Sequence, residues 1–600
     1  MTTHVLTENG ALALPSTGDA VVDYFVRGTI RGVPPETVSS LVRAAWNADK
    51  ELLLRAIRNA RDCRSGKGER RASFLALVVL RAFCAMTYRA NMERLFASDG
   101  RYKDLLEVAA LVEGDTAEPR GAGKKDRRAQ DRSIPRLRAE PEPERKRRRV
   151  SEGKAKGEAE GEPLPSALAR MGLPPAVGPF WELQLLAREL AADVMRLERG
   201  EKGVTLAAKW APSPGDSLDR RHRFAGRVAK ILFGPGSVGM PEGWAATRDA
   251  LVARTPGGRP VEVYRKRVLA PLREHLRVVE RAMSSGEWGA IDYASVPAKA
   301  MRQYRQAFQR RDEGRFREFL DDVRAGRATV KTAGLAPDEL VSPYLGGSTG
   351  AEDEVLEAQW RELVATARAK GGLAGTVPVV DVSGSMSGKP MEAAIALGLI
   401  ACLLPGEADP FHRKVVTFHE EPRFFDVRGE SLRDMVAEVA RAPWGGSTDL
   451  VKVYRVVLDC ALRAGLPQDR LPSTVLVLTD MQFDEAQRCG HQPATVHETI
   501  GAMYREAGYV PPRMVYWNLR ASEAALPVAG DVPGAAYLSG YSHHLLGALM
   551  EEGEMTPVAV MRRVLDKYTV EVAAEDRDRV LDECSEDRGG SSTSLPMEAD

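Results

Sequence analysis

An acid and two hydroxyls stand on alternate residues in Asp381-Val-Ser383-Gly-Ser385. In a tight loop of small residues these three side chains can converge on a single point. All are hard oxygen donors, with no Cys or His among them, which suits Mg²⁺ or Mn²⁺ rather than zinc. Two more donors follow. Trp444-Gly-Gly-Ser-Thr448-Asp449 is a Gly-rich loop that presents a hydroxyl just before a helical run. Thr474-Val-Leu-Val-Leu-Thr-Asp480 is an apolar run ending on an acid. Two carboxylates balance a divalent charge, while neutral hydroxyls leave the cation electrophilic enough to accept an acidic oxygen from a partner.

The elements that must position these groups are legible around them. Val377 to Val380 reads as a strand delivering the first loop. A helix opens behind it, with Pro390 suited to its first position, Glu392 in the first turn and an apolar face from Ala393 to Leu404. Strand, loop and helix make half of a βαβ unit, and such sheets place ligands at the carboxyl ends of their strands. The helix dipole has the wrong sign for a cation, so both acids are needed, and the right sign for an anionic ligand. Together the three stretches resemble the metal-ion-dependent adhesion site of von Willebrand factor A domains. The resemblance implies that Asp381, Ser383, Ser385, Thr448 and Asp480 are the ligands of Mg²⁺ or Mn²⁺, some through water. The competing reading keeps this fold with the metal absent or incidental.

The same βα grammar continues through Lys414 to His419 with a hairpin partner at Arg423 to Val427, then Thr474 to Thr479, Arg513 to Leu519 and Ala535 to Ser539. Residues 370–570 therefore read as a doubly wound, Rossmann-like von Willebrand A domain, closed by a helix beginning at Leu545 to Met550. Residues 585–600, rich in Ser and Gly, read as a flexible tail.

Upstream, residues 1–19 read as a flexible leader and 20–345 as an all-helical, α-solenoid-like region, so the fold class is α plus α/β. Short helices with apolar residues at three- and four-residue spacing start near Pro35, Leu52, Ala72 and Arg101, and the Ala72 to Met86 segment is apolar enough on all sides to be central. An insertion at 114–164 interrupts the region. No aromatic occurs between Lys103 and Pro179, and Arg, Lys, Glu, Gly and Pro dominate. Such a stretch buries too little apolar area to offset chain entropy and is expected to be disordered. Its block Arg145-Lys146-Arg147-Arg148-Arg149 is a nuclear-import candidate or a phosphate-binding tether, against the plainer reading of a solvated linker.

Composition bounds the partners. Across 600 residues, Lys plus Arg (85) against Asp plus Glu (84) gives a formal net charge of +1, so any nucleic-acid surface must be local. Its six cysteines are scattered with no CxxC pair, which favours reduced thiols in the cytoplasm or nucleus. The first residues lack a secretory signal, and the longest apolar run, Ala393 to Leu404, is too short to span a bilayer. The protein is thus expected to be intracellular, not secreted and not membrane-embedded. Basic residues interleaved with aromatics, as in Arg302-Gln-Tyr-Arg305-Gln-Ala-Phe-Gln-Arg310-Arg311, can follow a phosphate backbone and stack bases. Residue by residue, a core aromatic beside a surface Arg is the commoner arrangement.

The ordered short motifs Arg61-Asp-Cys-Arg-Ser-Gly-Lys67-Gly-Glu-Arg70, Tyr102-Lys-Asp-Leu-Leu, Ala208-Lys209-Trp-Ala-Pro-Ser, Pro271-Leu-Arg, Val296-Pro-Ala-Lys-Ala-Met, Thr479-Asp-Met-Gln-Phe-Asp and Trp517-Asn-Leu resemble the domain-of-unknown-function 2828 family. There a helical region precedes a von Willebrand A-like domain. Ser447 departs from the amide that the pattern favours before its Thr. The layout is also similar, at a distance, to Ro-type (TROVE) ribonucleoproteins, which pair a helical ring with a metal-site domain and bind RNA. That similarity implies RNA contacts in the helical region, with Lys67, Arg70, Lys209, Arg302, Arg305, Arg310 and Arg311 as candidates. The leading expectation is a non-enzymatic binding protein for RNA with a Mg²⁺-dependent ligand site; the alternative is a protein adaptor whose partner supplies an acidic residue to the metal. A metal-dependent hydrolase ranks below both. The Asp381 loop lacks the second acid of phosphoryl-transfer DxD loops, no GxxxxGK[ST] occurs, and no motif ties a histidine to Ser383 or Ser385.

Overall fold

A computed structural model describes residues 4–113, 178, 180–234, 239–346, 351–418, 422–441, 448–484, 495–521 and 526–582. The insertion at 114–164 with its Arg145 to Arg149 block, Ser447 and the tail at 585–600 lie outside these described residues.

The layout is α plus α/β, as the patterning predicts. Helices run from Pro35–Ala48 to Glu354–Ala369, and a six-stranded sheet follows. Its strands are β3 (Thr376–Val380), β4 (Lys414–Thr417), β5 (Phe424–Asp426), β6 (Thr474–Thr479), β7 (Arg513–Asn518) and β8 (Ala535–Ser539). The order is β5-β4-β3-β6-β7-β8, with every pair parallel except the β4–β5 hairpin. Both faces are covered by helices, so β3, β6 and β8 are buried along their whole length, and continuous apolar runs mark them for that reason. The chain leaves β3 toward β4 on one side and leaves β6 toward β7 on the other. The crevice at the carboxyl ends of β3 and β6 is therefore the topological switch point, where open α/β sheets bind ligands.

The helix Lys389–Leu403 lies directly behind this crevice and is buried from Ala393 to Leu403. Close approach to the sheet requires Gly398, because a Cβ there would fall 2.6 Å from Val380 Cγ2. The helix expected from Ala72 to Met86 spans Arg71–Phe83 and is buried from Ala72 to Arg81. It stops at Cys84, after which Ala85–Glu93 begins a new helix. Across the insertion, Arg81 pairs with Glu182 at 2.8 Å, and Tyr88 donates to the same carboxylate. Both flanks of the insertion thus belong to one packed body.

The leader is not loose where it is described. Val5–Leu6 (β1) and Leu12–Ala13 (β2) form a small hairpin that docks on the sheet region. Thr7 Oγ1 donates to the Phe483 carbonyl at 2.7 Å, and Leu14 exchanges backbone bonds with Leu526. The other end of the chain crosses back. Trp46 Nε1 donates to the Arg579 carbonyl at 2.9 Å, and Asn47 and Asn91 each pair both backbone groups of one residue, Leu581 and Glu571 respectively. One hydrophobic core runs through both regions, with a smaller one around Tyr293, Phe308 and Phe316. No helix among the described residues is long and apolar enough to cross a membrane.

A candidate metal centre at the strand ends

Asp381 directly follows β3 and Asp480 directly follows β6, and both are fully buried. Asp381 is held by its own loop and the neighbouring strand. Its Oδ1 accepts the Ser383 amide at 2.9 Å and its Oδ2 accepts the Thr479 hydroxyl at 2.7 Å. Burial, with the Asp480 charge adding to it, pushes the Asp381 carboxyl up to about 6 against the hydrogen bonds that oppose the rise. Two buried acids at one crevice repel each other, and Arg520 offsets part of their charge. Its Nη1 donates to the Ser385 carbonyl at 2.6 Å and lies 3.6 Å from Asp480 Oδ2, with nearly half of the side chain exposed.

Ser383 Oγ and Ser385 Oγ stand 3.0 Å apart. With metal–oxygen bonds of about 2.1 Å, adjacent corners of a Mg²⁺ octahedron are separated by about 3.0 Å, so the spacing that lets the hydroxyls hydrogen-bond also suits neighbouring ligands. The donor chemistry, hydroxyls and carboxylates without nitrogen or sulfur, fits a hard divalent cation. Among the described residues no group of three or more His, Cys, Asp or Glu side chains is arranged to hold a metal, so any such site rests on two acids plus hydroxyls.

Asp381, Ser383, Ser385 and Asp480 thus come together. Thr448 sits beside them on a different set of bonds. Its hydroxyl lies 2.8 Å from both the Gln482 carbonyl and Asp484 Oδ1, its amide donates to Asp484 Oδ2 at 2.7 Å, and Asn9 Nδ2 donates to its oxygen at 3.1 Å. Gln482 ties this cluster to Asp480, donating its amide to Asp480 Oδ1 at 3.2 Å. Between them Met481 adopts a φ of 64°, a left-handed conformation that costs a non-glycine residue of order 1–3 kcal/mol and clusters at functional loops. Sequence reasoning missed Asn9, Arg520 and Asp484. Asp484 had a signal, since it closes the motif Thr479 to Asp484, whereas Asn9 and Arg520 lie far from the loops they serve.

The RNA candidates are dispersed and mostly occupied. Lys67 is buried, and its Nζ donates to the Phe25 carbonyl, Thr29 and Ser539. This removes it as an open phosphate contact. Arg302 pairs with Glu339 at 3.0 Å and Arg305 with Asp353 at 2.5 Å, so both brace the helix Ala298–Arg311 instead of facing solvent freely. Arg70 pairs with Glu107, and Lys209 lies 3.9 Å from Glu280. Arg310 and Arg311 are exposed. Of the interleaved aromatics, Phe308 forms a core with Tyr293 and Phe316 and Tyr304 packs against it, so the plainer expectation holds for them.

Comparison with known proteins places the chain in a family. Residues 7–373 match the model named Domain of unknown function (DUF2828), and residues 375–585 match another named Domain of unknown function (DUF7788). The two meet between the helix Glu354–Ala369 and β3, where the helical region gives way to the sheet. The chain is also similar to Uncharacterized protein L728 of Acanthamoeba polyphaga mimivirus, at 29% identity over 583 residues, covering 94% of this chain and 87% of the viral protein. Matched over more than half its length by that helical-region model, the chain belongs to the DUF2828 family.

Proposed function

We propose that the protein is a non-enzymatic binding protein whose sheet region, resembling a von Willebrand factor A domain, carries a Mg²⁺- or Mn²⁺-dependent ligand site. Asp381, Ser383, Ser385 and Asp480 would hold the ion, with Thr448 braced alongside. The observation that carries this reading is the pair of hydroxyls 3.0 Å apart between two buried acids at the switch point of the sheet. When bound, the metal would offer an open position to a carboxylate from a protein partner. The surroundings favour binding over hydrolysis. Ser383 meets Ser385, while His412 bonds the Pro405 carbonyl and His497 the Tyr516 hydroxyl.

RNA binding by the helical region, suggested by the layout shared with Ro-type ribonucleoproteins, is the second reading. Exposed Arg310 and Arg311 favour it, and the ion pairs of Arg302 and Arg305 weigh against it. Affinity capture with the full chain separates the two. Partners are expected to be retained in Mg²⁺, released by EDTA, absent with Asp381→Ala and insensitive to ribonuclease. Identical capture in EDTA and by the variant would overturn the metal-dependent reading, and ribonuclease-sensitive capture would favour RNA.

A further inference from the structure

A cavity of about 160 Å³ lies between the helical region and the end of β8. It is separate from the metal centre and makes no use of it. Its walls carry six Arg and Lys side chains, among them Arg31, Arg61, Lys67 and Arg101, against two glutamates. Each glutamate already has a cation. Glu69 lies 3.6 Å from Arg31, and Glu339 is paired with Lys299 and Arg302. Behind the wall Arg61 pairs with Asp104 and Arg70 with Glu107, so among the described residues Arg101 is the wall arginine outside these ion pairs.

One of the cations is built in and not merely on the surface. Arg61 is 1% exposed and gives Nε and Nη2 to Asp104, while its Nη1 has no hydrogen-bond partner. A buried guanidinium nitrogen without an acceptor costs on the order of 1–3 kcal/mol unless something fills the place. Lys67 also lines the wall, but its ammonium is held by a carbonyl and two hydroxyls, so it shapes the cavity and does not donate into it. Gly540, with φ of 90°, brings the turn after β8 against the Lys67 stem, where a side chain would be strained.

We infer that this cavity is a binding site for a phosphate group, free or as a phosphomonoester, clamped between the two regions of the chain. Size decides the class. At about 160 Å³ it is smaller than the several hundred Å³ of pockets for drug-sized ligands, so it encloses the charged group and leaves anything attached to it outside. Guanidinium groups suit a tetrahedral oxyanion because their planar donors match its oxygens in pairs. This also gives a use to the Ser65-Gly-Lys-Gly segment and to Arg70, which lines the cavity, that an open RNA surface does not.

The test uses the full chain and inorganic phosphate, with chloride at matched ionic strength as reference, by calorimetry and thermal melting. Saturable binding of one phosphate per chain with a rise in Tm is expected. Arg31→Gln with Arg101→Gln should weaken it at least tenfold, while Arg310→Gln with Arg311→Gln leaves it unchanged. AMP distinguishes the source: tighter binding than phosphate indicates a phosphomonoester, and equal or weaker binding indicates free phosphate. Cys63 lines the same cavity, so phosphate should slow its alkylation at least threefold in the unmutated protein. No saturable binding of either compound, equal binding by the cavity variant, or an unchanged Cys63 rate would overturn the site.

Discussion

Arg520 sets the electrostatics of the metal centre from outside its loops. Its guanidinium, 3.6 Å from Asp480, neutralises part of the charge that a divalent cation would otherwise meet. Because the side chain is 45% exposed, solvent screens it, and its influence is of order 1 kcal/mol or less. Arg520→Gln is therefore expected to tighten Mn²⁺ binding by up to about fivefold in a calorimetric titration; weaker binding would show that its bond to Ser385 matters more than its charge. At this scale the alternating acid and hydroxyls from Asp381 to Ser385 were legible, because a loop motif states its chemistry in five consecutive residues. Arg520 and Asn9 were not. Arg520 bonds a loop residue 135 positions away and Asn9 one 439 away, and only the folded chain brings them there.

Strands and helices were legible where apolar periodicity was strong. All six strands of the sheet fall where the apolar runs lie, and the helix Lys389–Leu403 begins around Pro390. The leader was misread because its hairpin is stabilised by distant side-chain and backbone partners, not by its own pattern. Thr7→Val removes a buried hydroxyl bond to Phe483 and is expected to cost about 1 kcal/mol in denaturant unfolding. A loss near zero would mean that the hairpin adds nothing to stability. The 3₁₀ turn His543–Leu546, beyond β8, carries a second signature. Burial, with Lys370 and Lys567 nearby, pulls His544 down to about 4, and burial holds His543 well below its usual range. Unfolding restores ordinary values near 6.5, so the unfolded chain binds more protons between these limits. Stability is fully present above about pH 6.5 and falls as pH drops toward 4. In the variant His543→Leu with His544→Gln this acid limb should flatten, as urea unfolding at pH 7 and pH 5 would show; an unchanged limb would assign the loss to other groups.

At the scale of the whole molecule, the two ends of the chain cross to clasp the opposite region. The leader docks beside Asp484, and residues 569–582 run along the first helices. Asn91 is 1% exposed and satisfies both backbone groups of Glu571. Asn91→Ala leaves these groups unmet and is expected to cost roughly 1–3 kcal/mol in stability, with faster amide exchange in both regions at once. Exchange confined to residues 569–582 would show that the regions are not coupled through them. Composition and length did not reveal this clasp, since it consists of side chains pairing with backbone and leaves no periodic trace. The same joint makes the interdomain cavity and holds the sheet region, with its crevice at the ends of β3 and β6, against the helices.

The central claim is that this crevice binds a divalent cation. Electron paramagnetic resonance of Mn²⁺ titrated into the full chain measures that directly, because bound and free ion give different signals. One Mn²⁺ per chain is predicted, displaced by Mg²⁺ and absent in both Asp381→Ala and Asp480→Ala, with circular dichroism unchanged. No bound Mn²⁺ in the unmutated protein, or binding by both variants equal to that of the unmutated protein, would contradict it.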